Sequence, residues 1–298
     1  MNMNKIKRVA TFWVYVSVTA LAGSGSVFAE HLEKVWTANG MKVPESVVYN
    51  AKKNTFYVSN MNGKPMEKNG LGSIARITSN GKTVEADWVS GLNAPKGTAL
   101  KGQTLYVVDI QEILAIDTAS GRIVTRYYLP ESKMLNDISV NPSGDVFVSD
   151  FMGKSIYKLV DGEFKVWFAS NKLDFPKGIW ATNDYLYIGT WGKNPNAEFK
   201  TETPGSLKRI SLSKPTFIEN VGNGLPLANI DGVEAYKGGW LLTDHMAGKL
   251  VHLSKNGDVV GKLPLRMGAS DHAYVASQNL VVVPMMMNNT VEAYRIIE

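Results

Sequence analysis

The chain has 298 residues, no cysteine and a formal charge of +5 at neutral pH. Without cysteine it can form no disulfide and offers no thiolate to a metal, so a continuous core must hold it together. Three of the positive charges, Lys5, Lys7 and Arg8, stand near the start; without them the excess falls to +2, and no basic block or aromatic-interleaved basic stripe remains to suit a nucleic acid.

That basic start is followed by an apolar run from Val9 to Ala22 and then by Val27-Phe28-Ala29, small residues at cleavage spacing. The pattern reads as a signal peptide over residues 1–29. The apolar run is shorter than the roughly 20 residues that a membrane span needs. The mature chain is therefore expected to begin at Glu30, to have no membrane span and to be periplasmic or secreted in a bacterium. Residues 30–298 read as one domain.

No long helical periodicity occurs in that domain. Short alternating strands punctuated by Gly, Asn, Asp and Pro fill it. The clearest unit runs from Met134 to Asp150, where a strand, an Asn-Pro-Ser-Gly turn and a second strand form a hairpin. It predicts strand A at 137–141 and strand B at 145–150, with strand C at 154–160 and strand D at 163–169 to follow. The hairpin recurs. Asp137 lies thirteen residues before Asp150, as Lys96 does before Asp109, Lys177 before Thr190, Asp231 before Asp244 and Asp271 before Pro284. A sixth copy, from Glu45 to Asn60, is two residues longer. The openings are spaced by 51, 41, 40, 54 and 40 residues.

A period near 40 with four strands in each repeat predicts an all-β, six-bladed β-propeller. The last copy ends after its C strand, Thr290 to Ile297. Leu32-Glu-Lys-Val-Trp-Thr37 resembles the D strands Glu163–Phe168 and Val84–Val89, so the mature N-terminus is expected to supply the missing outer strand and close the ring. The two long spacings come from B–C insertions, 61–72 in blade one and 191–205 in blade four. These blades oppose one another across the channel mouth, and the insertions are expected to form a lid there.

The opening residues form an inner ring: Glu45, Lys96, Asp137, Lys177, Asp231 and Asp271. Asn60, Asp109, Asp150 and Asp244 form an outer set. Turn capping accounts for Asp and Asn in the outer set, but it does not call for lysine at the inner position. Clustered carboxylates raise one another's pKa unless a cation neutralises them, and either a bound hard metal ion or the lysines could do so. His245 follows Asp244 and His272 follows Asp271; both are expected on the mouth face as base or ligand. Trp191 opens the second insertion and is a candidate ligand contact. All ten methionines after residue 29 fall in segments expected to be mouth loops. Such a rim predicts a small-molecule ligand with apolar surface.

Pro44-Glu45-Ser46, Asn136-Asp137, Pro176-Lys177-Gly178 and Asp231-Gly232 resemble the site motifs of the senescence marker protein/gluconolactonase/luciferin-regenerating enzyme family. The resemblance implies a six-bladed propeller that hydrolyses a lactone or ester with one divalent cation, calcium or zinc. By that resemblance Glu45 and Asp231 are metal ligands, Asn136 contacts substrate and Asp137 is the base; the mouth histidine His272, by its position, is the other candidate base. Lys96, Lys177, Asp271, His245 and Trp191 would contact substrate. One position departs: the family's third ligand is an Asn before Gly, where this chain has Lys177. An ammonium cannot coordinate a metal. Two functions therefore stand side by side: a metal-dependent lactonase or esterase, and a non-catalytic binding or scaffolding propeller in which Lys177 replaces the ion.

Overall fold

The computed structural model describes residues 30–298, so the expected leader lies outside the described residues. Six four-stranded antiparallel sheets form a six-bladed β-propeller, each meandering outward from the axis. Blade three runs Leu135–Val140, Val146–Asp150, Ser155–Val160 and Glu163–Ala169. Its A strand starts two residues before the expected one. The reason is a β-bulge: Leu135 pairs with Asp150, pairing resumes only at Ile138 with Val148, and Asp137 stands unpaired between them.

The same extra residue occurs at Glu45, after Lys96, at Lys177 and at Asp231, since pairing breaks between Pro44 and Ser46, Pro95 and Thr98, Pro176 and Ile179, and Ile230 and Val233. A bulge re-aims its side chain and frees a backbone N–H. Hydroxyls on the B strands accept those N–H groups: Ser59 from Ser46, Ser149 from Asp137 and Thr243 from Gly232. Ser149 and Thr243 then donate to the carbonyls of Lys177 and Ser270 in the next blade. Adjacent blades approach so closely here that a Cβ on Gly97, Gly178 or Gly232 would overlap the neighbouring strand.

The ring closes as the sequence suggests. His31–Asn39 pairs with Thr290–Ile297, from His31 opposite Ile297 to Asn39 opposite Thr290. Asp271 N donates to Glu45 O at 3.0 Å, and a parallel bridge joins Ser46 to Asp271. Apolar side chains fill each gap between blades. Between blades one and six, Val47, Phe56, Val58 and Ile77 pack on Val275, Val282 and Val291, with Trp36 of the borrowed strand against them. Among the described residues no helix is long and apolar enough to cross a membrane.

One loop assignment fails. Met285 belongs to strand Leu280–Met285 and is fully buried, because it pairs with Thr290 and packs in the blade core. The insertion of blade four carries a two-stranded ribbon, Gly192–Lys193 with Thr203–Pro204, whereas that of blade one is irregular.

Removing residues 30–39 exposes the C strand of blade six as an open edge along the ladder that closes the ring. The truncated protein is expected to associate on size-exclusion chromatography and to lose its cooperative thermal transition in circular dichroism. A monomer with an unchanged transition would refute the closure.

Candidate functional site

Glu45, Lys96, Asn136, Lys177 and Asp231, at the bulges of the first five A strands, build a floor across the channel mouth. Lys177, only 8% exposed, donates to Asp231 Oδ2, and its Nζ stands 3.6 Å from Glu45 Oε1. The ammonium also lies 5.0 Å from the centre of the Trp191 ring, within cation–π range. His245 Nδ1 is 2.9 Å from Asp231 Oδ2 but off the line of a well-formed hydrogen bond. Lys96, 1% exposed, donates to Ala94 O at 2.8 Å.

Above this floor lies a cavity of about 300 Å³ lined by Glu45, Lys96, Asn136, Lys177, Trp191 and His245, with walls of Met, Phe and Pro. Pro65 comes from the insertion of blade one and Phe199 from that of blade four, so both insertions contribute to the wall of one cavity. Five methionines line it: Met61, Met134, Met246, Met286 and Met287. The other five do not line it: Met41 and Met285 are buried, and Met66, Met152 and Met267 are exposed. Phe151 and Phe199, which sequence reasoning missed, pack beside Trp191 with ring centres 6.1 Å apart. Their signal was slight: Phe151 directly follows a B-strand end, and Phe199 lies inside the insertion of blade four.

The remaining expected residues do not line this cavity. Asp137, Asp271 and His272 line a second cavity of about 280 Å³, deeper in the channel and enclosed by all six A strands. The cause is the bulge: Asn136 is turned to the mouth, while Asp137 points along the channel and accepts from Ile138 N at 2.7 Å and from Ile179 N of the next blade at 2.6 Å. Asp271 accepts from Ser46 Oγ at 2.7 Å. Glu234, which sequence reasoning passed over, lines the same lumen. The outer set caps loops: Asp109 accepts from Asn93 N and Ala94 N, Asp150 from Lys133, Met134 and Gly153 N, Asp244 from Asn229 and Ala247 N, and Asn60 from Lys42 N.

Burial and pairing set the charges. Burial works against the Lys177 ammonium, but Asp231 and Glu45 together outweigh it and hold its pKa above the ordinary lysine value. Asp231 is the converse: burial opposes its charge, yet Lys177 and His245 keep its pKa low. Burial pushes Glu45 up to about 7 against the pull of Lys177. Burial also lowers Lys96 to about 8, partly offset by Glu45 and Asp109. In the lower cavity burial drives Asp137, Asp271 and Glu234 well above the carboxylate range and His272 down to about 3.

A divalent cation does not fit this donor set. Among the described residues no three His, Asp or Glu side chains converge on a point that could hold a metal ion, and Lys177 stands between the two acids expected to be ligands. Glu45 Oε2 and Asp231 Oδ1 are nevertheless buried without a hydrogen-bond partner. Acceptors left so call for a donor, such as water or a ligand hydroxyl.

The fold and floor define a class: a six-bladed β-propeller with a lysine-centred, apolar-walled mouth. No protein-family model and no curated protein sequence matches the chain. Among solved structures it resembles a gluconolactonase from Xanthomonas campestris, at 14% identity and a TM-score of 0.64 over 89% of each chain. Regucalcin from Agrobacterium tumefaciens, described as a calcium-binding protein, gives 14% identity and a TM-score of 0.63 over 89% of this chain and 94% of that one. Virginiamycin B lyase from Staphylococcus aureus gives 16% identity and a TM-score of 0.58 over 90% of this chain and 100% of the lyase. At such identities the likeness establishes the six-bladed fold.

The buried acids give a pH signature. Glu45, Asp137, Asp271 and Glu234 have folded pKa values above their unfolded ones, so the stability they contribute is present in acid and lost as pH rises through the folded values. His272 acts oppositely, but only as pH falls from 6.5 toward 3. Between about pH 6.5 and about pH 8 the carboxyl groups therefore govern, and the thermal midpoint is expected to fall as pH rises. Calorimetry at intervals across this range checks it, with a flatter slope expected in Glu45→Gln. A rising midpoint would contradict the assignment.

Proposed function

We propose that the mouth cavity is a metal-independent site for a lactone or ester with an apolar body. The observation that carries this reading is Lys177 standing between Glu45 and Asp231 on the floor of an apolar cavity. In this reading the ammonium groups of Lys177 and Lys96 hold the substrate carbonyl oxygen as negative charge develops on it. Glu45, with a pKa of about 7, takes a proton from the attacking water. The acyl C–O bond breaks and the departing alkoxide receives that proton, giving a hydroxy acid, or an acid and an alcohol. Met61, Met246, Phe199 and Trp191 bury the substrate's apolar part. The gluconolactonase named above has the same fold, which supports the substrate class by analogy only. Export with cleavage before Glu30 belongs to the same proposal, and N-terminal sequencing of the mature protein checks it.

A second reading, a binding propeller without catalysis, is favoured by one observation: Asp137 and His272, the expected bases, line the deeper cavity. One assay separates the two. On a panel of lactones and aryl esters, turnover is expected to survive a chelator, to rise through about pH 7 and to drop about 100-fold in Glu45→Gln. Ligand binding with no turnover on any member would establish the second reading. Turnover abolished by chelator and restored by calcium or zinc would overturn the metal-free site.

Lys177→Asn removes the internal cation and leaves Glu45 and Asp231 facing one neutral oxygen donor. The variant is expected to bind calcium at least about tenfold more tightly than the parent in isothermal titration calorimetry. Equal affinity in both forms would show that Lys177 does not stand in for an ion.

A further inference from the structure

The two ends of the propeller differ in what their loops expose. Among the described residues seven large apolar side chains stand exposed in loops between strands. Six of them, Met66, Leu71, Met152, Leu225, Met267 and Met287, lie on the mouth face, and the opposite end has only Phe217. Single exposed apolar residues are ordinary on a soluble protein; their concentration on one face is not.

Four of the six come from blades one and six, which ring closure makes neighbours. Met66 and Leu71 stand in the insertion of blade one, Met66 next to Pro65 of the cavity wall. Met287 is 58% exposed and also lines the cavity. It lies so close to Gly268 that a Cβ there would strike it, which puts it beside Met267. Met286 packs with Met61 and Val43 of blade one. The exposed apolar side chains therefore adjoin the wall of the mouth cavity.

The same loops are basic. They hold nine lysines and arginines against six aspartates and glutamates, and one of those six, Asp271, faces the inner channel. Lys64 and Lys68 flank Met66 in the insertion, and both are exposed. The loops of the opposite end are basic as well, so charge alone does not distinguish the ends; the pairing of basic with exposed apolar residues does. Two copies of the mouth face would meet as like charges, which disfavours a symmetric pair, whereas an anionic surface is complementary. Flexible thioethers adapt to an irregular, fluid partner. Lysine stems lie along apolar surface with their ammonium groups at its edge. Apolar side chains among lysines are the composition of surfaces that rest in the headgroup layer of anionic lipids.

We propose that the mouth face docks on an anionic lipid surface. Met66, Leu71, Met267 and Met287 enter the headgroup layer, and Lys64 and Lys68 lie against lipid phosphates. The cavity then opens onto the lipid, so an apolar ligand passes from membrane to site without crossing water. This inference goes beyond the reading of the mouth as a catalytic site and does not require turnover there.

The mature protein sedimented with vesicles of equal parts phosphatidylglycerol and phosphatidylcholine, and with vesicles of phosphatidylcholine alone, tests the surface. It is expected to bind the anionic vesicles at least about tenfold more tightly than the neutral ones, and to weaken on them between about 0.1 M and about 0.5 M salt. Met66→Ser, Leu71→Ser and Met267→Ser together replace exposed residues outside the cavity lining. This triple variant is expected to bind at least about tenfold more weakly with an unchanged thermal midpoint. Phe217→Ser, at the other end, is expected to bind as the parent does. No binding to anionic vesicles, unchanged binding in the triple variant, or an equal loss in Phe217→Ser overturns the proposal. A dimer on size-exclusion chromatography that the triple variant abolishes also overturns it, because a second copy would then cover this face. Turnover of a water-soluble lactone without vesicles reads the mouth chemistry separately, so failure of either proposal leaves the other standing.

Discussion

Six A strands converge on one axis, and at that radius neighbouring backbones leave no room for side chains aimed at each other. The chain meets this constraint in a repeated way. One residue bulges out of the ladder and turns toward the axis, and in three blades the next residue is Gly97, Gly178 or Gly232, where a Cβ would strike the adjacent strand. Hydroxyls of Ser59, Ser149 and Thr243 take up the freed N–H groups. The polar ring is thus a consequence of closing the propeller. Its side chains must point into the channel because every other direction is filled.

A ring of buried ionisable groups then has to settle its own charge. Lys177 does so at the mouth: it lies against Asp231 and Trp191 and near Glu45, and each partner compensates the burial of the other. A buried ion pair of this kind gives little net stability, but removing one partner leaves an uncompensated charge and costs roughly 3–5 kcal/mol. That makes the floor rigid and fixes Glu45 and Lys96 beneath an apolar cavity. Deeper in the channel no lysine or arginine lines the cavity, and burial raises Asp137, Asp271 and Glu234 well above the carboxylate range. One channel therefore has two electrostatic regimes stacked along its axis.

Much of this was legible in the sequence because propellers repeat. The thirteen-residue interval from a charged opening to a B-strand end is a property of the hairpin itself, and it revealed the blades and the two insertions, although in blade three it picked Asp137 where Asn136 faces the mouth. The borrowed outer strand was legible too, since Leu32–Thr37 carries the pattern of a D strand. Met285 was misplaced because a methionine run after a strand reads as a loop, and only pairing with Thr290 draws its first member into the sheet.

The sequence by itself determined the six blades and the closure by the N-terminal strand, since strand periodicity and turn chemistry are local. Only the tertiary structure decided which ring members share a cavity. A bulge shifts the side-chain direction by one residue, so Asn136 looks to the mouth and Asp137 to the inner channel, and Asp271 and His272 lie there with it. That Pro65 and Phe199 wall one cavity, and that Glu234 lines the inner channel, likewise depends on packing between blades distant in the chain. No spacing along the sequence records those distances.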